Sequence, residues 1–245
     1  MSTIEQLEPA AVWRLFGGIA AVPRPSKREE RIRAHIRGVA ENSGWTVRED
    51  AAGNLVIQVP ASPGRENAPV IVLQGHLDMV CEKNAGTEHD FDRDPIRLIL
   101  DKDPSGEAIV RADATTLGAD NGMGVAMALA AAIDSNVKHG PLELLCTIDE
   151  EAGMSGAKAV TADLFKGRRL LNLDSEEDDI IYIGCAGGCD TTLTWKCTPE
   201  SIDAASKVVR VSVDGLRGGH SGCDIHENRG SAIKLLTRTL LGAGS

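Results

Sequence analysis

The sequence predicts an α/β fold, a mixed and mainly parallel sheet with helices on both faces, and three observations predict it. Residues 55–59 and 70–74 are short, apolar and β-branched, as strands covered on two faces are. From residue 121 onward, helical and extended patterns alternate at the spacing of strand and helix units. With 245 residues, 42% of them hydrophobic, the chain is long enough to bury a substantial core.

Two helical patterns come first, over 5–20 and 27–42, the second after a Pro23-Arg24-Pro25-Ser26 break in which Ser26 offers an N-terminal cap. A turn over Asp50-Ala51-Ala52-Gly53-Asn54 leads into the strand at 55–59, and a loop containing Pro and Gly separates it from the strand at 70–74. An Ala/Met-rich helix over 121–134, a strand over 142–148, a helix over 155–164 and a strand over 169–173 follow. A further strand at 180–183 runs into the glycine cluster 184–188, which marks a domain boundary. Residues 1–186 form one domain, and 187–245 begin another with strands at 191–195 and 208–213 and a helix from about Glu227.

Charge narrows the function classes. The 26 basic residues against 36 acidic ones leave a formal net charge of -10, which repels a phosphate backbone and an anionic bilayer alike. Nucleic acid and membrane partners are therefore not expected. The first nine residues lack a basic segment leading into an apolar one, and no stretch has the length of a membrane span, so the expectation is a soluble, cytoplasmic protein. The six cysteines include no Cys-x-x-Cys pair, and three sit in apolar or strand-like contexts. Reduced thiols fit that pattern, although the spacing of Cys185 and Cys189 leaves a disulfide open.

Ligand sites in open α/β sheets lie at the carboxyl ends of the strands, so polar residues there are read for function first. The strand at 70–74 is followed by Gly75-His76-Leu77-Asp78, and on an extended backbone His76 and Asp78 share a face, as a metal ligand and the group that orients its ring do. Alone, this pair is a weak signal. In Gly118-Ala119-Asp120-Asn121-Gly122 a glycine-flanked acid precedes a helix, and a capping role for Asp120 explains that motif by itself. Asp149-Glu150-Glu151 leaves an apolar strand, and three successive acids repel one another unless water or cations screen them. Asp174 ends a run of buried character.

Convergence decides between these readings. Parallel strands deliver their carboxyl ends to one edge of a sheet, so Asp78, Asp120, Glu150, Glu151 and Asp174 gather around His76. So many carboxylates in one pocket need either strongly raised pKa values or divalent cations, and two cations are the simpler answer. An imidazole with carboxylates and no thiolate suits zinc, with manganese or cobalt as substitutes. Neighbours on an extended backbone point opposite ways, so one of Glu150 and Glu151 can hold metal while the other acts as a base.

Taken in order, the motifs around His76, Asp120, Glu150 and Asp174 resemble the co-catalytic zinc peptidases, a family that includes acetylornithine deacetylase, carboxypeptidase and aminoacylase relatives. The stretch from Gly75 through Met79, Cys81 and Lys83 to Asn84, with His89-Asp90-Phe91-Asp92-Arg93-Asp94-Pro95 behind it, is more similar to the bacterial aminoacyl-histidine (cytosol non-specific) dipeptidases within that family. The resemblance runs over nearly the whole chain. It implies a di-zinc hydrolase of unblocked dipeptides such as Xaa-His. In it His76 and Asp174 hold one metal, Glu151 holds the other, Asp120 bridges them, Asp78 orients His76 and Glu150 is the general base.

The same resemblance makes 187–245 the start of an α+β lid through which the complete protein forms a homodimer. It assigns His220, in Gly218-Gly219-His220-Ser221-Gly222, to the oxyanion of the tetrahedral intermediate. Read from its residues alone, that segment is either a turn with a surface histidine, the favoured reading, or a weak anion-binding loop. Relatives of this kind are longer, so the chain is expected to be truncated, with one metal lacking a protein ligand and the helix near Glu227 exposing an apolar face. A deacylase of N-acyl amino acids using the same metal set, and a catalytically silent metal-binding fragment, are the rival readings. His35, His139 and His226 are read as structural or surface residues, and His89 is unassigned.

Overall fold

The computed structural model describes residues 4–243 apart from 176, 178, 186, 188, 190 and 220–223. The chain divides into two compact units, residues 1–185 and 186–245. The first carries helices α1 (Ala10–Ala20), α2 (Glu30–Asn42), α3 (Ala119–Ile133), α4 (Glu150–Gly153) and α5 (Ser155–Ala159) and strands β1 (Thr46–Glu49), β2 (Leu55–Val59), β3 (Ile71–His76), β4 (Leu98–Lys102), β5 (Ala108–Ala112), β6 (Leu142–Thr147) and β7 (Arg169–Asn172). In the second, the described elements are a 3-10 turn (Ile225–Glu227) and α6 (Ala232–Ala243).

The main sheet has five strands in the order β1-β2-β6-β3-β7. β1 and β2 pair antiparallel, as do β2 and β6, whereas β3 lies parallel to both β6 and β7. The sheet is therefore mixed with a parallel half, as expected. Alternate residues face opposite layers. Leu55, Ile57 and Val59 of β2 and Leu142, Leu144 and Cys146 of β6 pack under Phe16 and Ile19 of α1, Ile32 and Ile36 of α2, and Val125 and Leu129 of α3. Val56, Val72 and Leu145 face the other way, against Leu164 with Val160 and Phe165 behind α5.

Where the elements depart from the sequence reading, local chemistry gives the reason. Helix α1 begins at Ala10 rather than at residue 5, because Pro9 disfavours helical backbone at Glu8. Helix α2 begins at Glu30 without a side-chain cap, and Ser26 spends its hydroxyl elsewhere. The helix at 155 ends at Ala159, with Val160 already extended at the start of a β-branched Val-Thr pair. Strand β1 and the separate β4–β5 hairpin have no plain strand pattern in the sequence, because charged residues interrupt them. β7 is an exposed edge strand rather than a buried one, since among the described residues it pairs with β3 alone. Among the described residues, 180–183, 191–195 and 208–213 form no strands, and the last helix starts at Ala232, not near Glu227. Cys185 is a free thiol, so no disulfide joins it to Cys189.

Candidate metal centre

The register of the parallel half brings the polar residues to one edge. Gly75 lies opposite Cys146, His76 opposite Thr147 and Gln74 opposite Asn172, so the chain leaves β3, β6 and β7 side by side. His76 and Asp78 follow from β3, Asp149, Glu150 and Glu151 from β6, and Asp174 from β7. Asp120 arrives from the start of α3, where Asp120 and Asn121 keep non-helical backbone angles.

His76 is the hub, and it is buried. Its Nε2 lies 2.8 Å from Asp120 Oδ1, 3.7 Å from Asp174 Oδ1 and 4.0 Å from Glu150 Oε2. Its Nδ1 lies 3.1 Å from the Asp78 carbonyl oxygen and 3.3 Å from Asp78 Oδ1. The capping role open to Asp120 is not taken, since Gly118 occupies the cap position of α3 without a side-chain hydrogen bond. Glu150 and Glu151 lie in the first turn of α4 rather than on extended backbone, so the alternation argument for their opposed directions does not apply. Donor atoms of His76, Asp120 and Asp174 lie within 4.8 Å of one another, and so do those of His76, Glu150 and Glu151. His220 lies outside the described residues.

Asp78 is fully buried and fully engaged. Its Oδ1 accepts the Glu150 N–H at 3.0 Å, and its Oδ2 accepts the Glu151 N–H at 3.1 Å and the Ser26 hydroxyl at 2.7 Å. Burial alone would raise its pKa, but the His76 contact and these hydrogen bonds win and hold it at about 2. Burial likewise disfavours the charged form of His76, yet the hydrogen bonds to Asp120 and Asp78 carry the imidazole up to about 10. Asp120, bonded to His76, sits below the ordinary carboxylate range. Asp174 and Glu151 are pushed up, first by burial and then by neighbouring carboxylates.

Several residues of the site carried no signal in the sequence. Arg24 is buried, and its guanidinium donates to the carbonyls of Leu77 at 2.9 Å, Asp78 at 2.8 Å and Gly118. Burial lowers its pKa to about 10, offset in part by Asp78, Cys81, Asp120 and Glu151, so it stays charged at neutral pH. Asn121 donates to Asp174 Oδ1 at 2.9 Å and to the Leu173 carbonyl at 2.7 Å, tying the end of β7 to α3. Glu29, also buried, accepts the Asp149 N–H at 3.0 Å.

The donor set fits a divalent cation. Atoms bound to one zinc at about 2.0–2.2 Å lie no more than about 4.4 Å apart, and the separations of Asp120 Oδ1 and Asp174 Oδ1 from His76 Nε2 meet that limit. The raised pKa values of Asp174 and Glu151 express burial first and the repulsion among the acids second, and a bound cation favours their charged forms against both.

Comparison with known proteins agrees with this chemistry. Residues 72–214 match the Peptidase family M20/M25/M40. The chain is 47% identical over 242 residues, 99% of its own length and 49% of the relative's, to the cytosol non-specific dipeptidase of Escherichia coli (strain K12). It superposes on the crystal structure of aminoacylhistidine dipeptidase from Vibrio alginolyticus with a TM-score of 0.72 and 44% identity, covering 98% of this chain and 48% of that one. Aminopeptidase PepT from Bacillus cereus is a more distant match, with a TM-score of 0.56 and 26% identity over 68% of this chain and 43% of that one. The chain spans about half the length of these two dipeptidases. With its parallel strand ends gathering an imidazole and carboxylates at one edge, the chain belongs to the M20/M25/M40 peptidase family.

Proposed function

We propose that this chain carries the metal-binding part of a cytoplasmic dipeptidase that hydrolyses unblocked dipeptides, Xaa-His among them. The observation that supports this most is His76 Nε2 within reach of both Asp120 and Asp174 at the carboxyl edge of the sheet. In this reading His76 and Asp174 hold one zinc, Glu151 the other, and Asp120 bridges them, with manganese or cobalt as substitutes. The cations, when bound, polarise the scissile carbonyl and acidify water. Asp78 fixes the ring of His76 through Nδ1. Glu150 removes a proton from the attacking water and returns it to the leaving amine. His220 donates a hydrogen bond to the tetrahedral oxyanion. Residues 1–186 form the catalytic domain, 187–245 begin a lid domain, and the complete protein is a homodimer.

Dipeptides are favoured over N-acyl amino acids because the Escherichia coli and Vibrio alginolyticus relatives, at 47% and 44% identity, are named as dipeptidases. The test compares hydrolysis of Xaa-His and ordinary dipeptides with that of N-acetyl amino acids, before and after chelation. Faster turnover of N-acetyl amino acids would make the protein a deacylase, and zinc binding without turnover of either would make the chain a silent metal-binding fragment. Glu150 stands in a group able to hold metal as well as near the hub, so Glu150→Ala separates its roles. A base is expected to lose at least about 100-fold in kcat with metal content unchanged. Loss of metal equal to that of Asp120→Ala would make Glu150 a ligand instead.

A further inference from the structure

Four segments that are distant in sequence supply the residues around His76: the end of β3, the start of α3, the end of β6 and the end of β7. One short loop, residues 24–29, bonds to the first three, and Asn121 of α3 holds the fourth. Arg24 donates to the carbonyls of Leu77 and Asp78 after β3 and to that of Gly118 before α3. Its own carbonyl accepts the Met79 N–H at 3.2 Å. Ser26 donates to Asp78 Oδ2, and Glu29 accepts the Asp149 N–H after β6. Arg24, Glu29 and Asp78 are each at most 3% exposed, so water cannot take over these bonds.

The glycines of the Asp120 motif have a matching shape. A Cβ on Gly118 would stand 2.4 Å from Arg24 Nη2, and one on Gly122 would stand 2.8 Å from the same atom. The residues on either side of Asp120 thus leave the space that the guanidinium fills. A planar group with several fixed N–H donors can reach carbonyls from two segments at once, which the compact ammonium of lysine cannot reproduce with the same spacing.

We propose that the loop 24–29, centred on Arg24, is the positioning device of the metal centre: it fixes the separation between the His76–Asp78 segment and Asp120, and so sets the affinity for divalent cations. Arg24 and Ser26 touch neither substrate nor metal in this scheme and act through the backbone and through Asp78. The inference rests on the metal-centre reading of the proposed function, but not on the identity of the substrate.

The test is titration of the metal-stripped chain with Zn2+ by calorimetry, with the thermal midpoint of each metal-free variant measured alongside. Arg24→Lys and Ser26→Ala are compared with Ile36→Val, a core substitution on α2. Arg24→Lys is expected to weaken zinc binding about 10- to 100-fold, as loss of a ligand's supporting partner does. Ser26→Ala is expected to weaken it less but measurably, and Ile36→Val to leave it within about twofold for a midpoint loss of similar size, since a distant core change costs stability alone. Unchanged affinity in a folded Arg24→Lys overturns the proposal, and if that variant does not fold, unchanged affinity in Ser26→Ala does so. Failure of the unaltered chain to bind zinc, or binding that survives His76→Ala intact, overturns the metal-centre reading and the proposal with it. Failure to cleave dipeptides with normal zinc binding touches only the substrate assignment.

Discussion

Asp78 makes the case at the scale of single residues. Its carboxylate accepts two backbone N–H groups and a hydroxyl without exposure to water, and it leans on His76 at the same time. Because its folded pKa is about 2, below the ordinary aspartate value of 3.8, its contribution to stability is complete above about pH 4 and disappears as the pH falls toward 2. The size of that contribution is about 2 kcal/mol. Asp78→Asn is therefore expected to be less stable by about 2–4 kcal/mol at pH 7, since an amide turns a donor toward groups that are themselves donors. Urea titrations at pH 7 and pH 3 check this, and the gap between the variant and the unaltered chain should narrow at the lower pH. An equal gap at both would mean that the carboxylate's charge plays no part.

A second level of control lies in the elements. Helix α3 cannot begin with ordinary residues, because Gly118 holds a φ of +69° and has Arg24 against the place where a Cβ would go. Gly118→Ala combines an unfavourable left-handed backbone with a steric clash, and a loss of about 2–4 kcal/mol is expected from the two together. Denaturant midpoints measure it, and a neutral result would show that the loop around Arg24 yields freely. The same elements explain which parts of the site could be read directly. His76, the acids after β6 and Asp174 stand at the ends of strands whose apolar runs are plain, so their meeting follows from parallel pairing. Arg24, Ser26 and Glu29 lie on a loop before α2, and nothing in their local pattern reveals that Arg24 reaches residues 53, 54 and 94 positions away.

For the whole molecule, the consequence is that metal and fold are linked. The described candidate ligands all lie in the unit formed by residues 1–185. Zinc that binds the folded unit and not the unfolded chain raises its stability by about 2.7 kcal/mol when free metal is 100 times the dissociation constant. Hydrogen exchange should accordingly slow in β3, β6 and α3 on zinc addition and reverse with a chelator, while α6 in the other unit keeps its rates. Slowing in α6 alone would place the metal elsewhere. No described helix is long and apolar enough to cross a membrane.

The sequence alone determined the α/β class, the parallel strands and the set of residues that gather at their ends, because strand periodicity and apolar runs are local properties. It also carried the family, through four ordered motifs. Only the tertiary structure decided that Glu150 and Glu151 start a helix, and that β7 is an edge among the described strands. It alone supplied Arg24 as the buried tie between two segments, since a guanidinium's partners are chosen by which carbonyls folding leaves without water, and no neighbour in the chain records that choice.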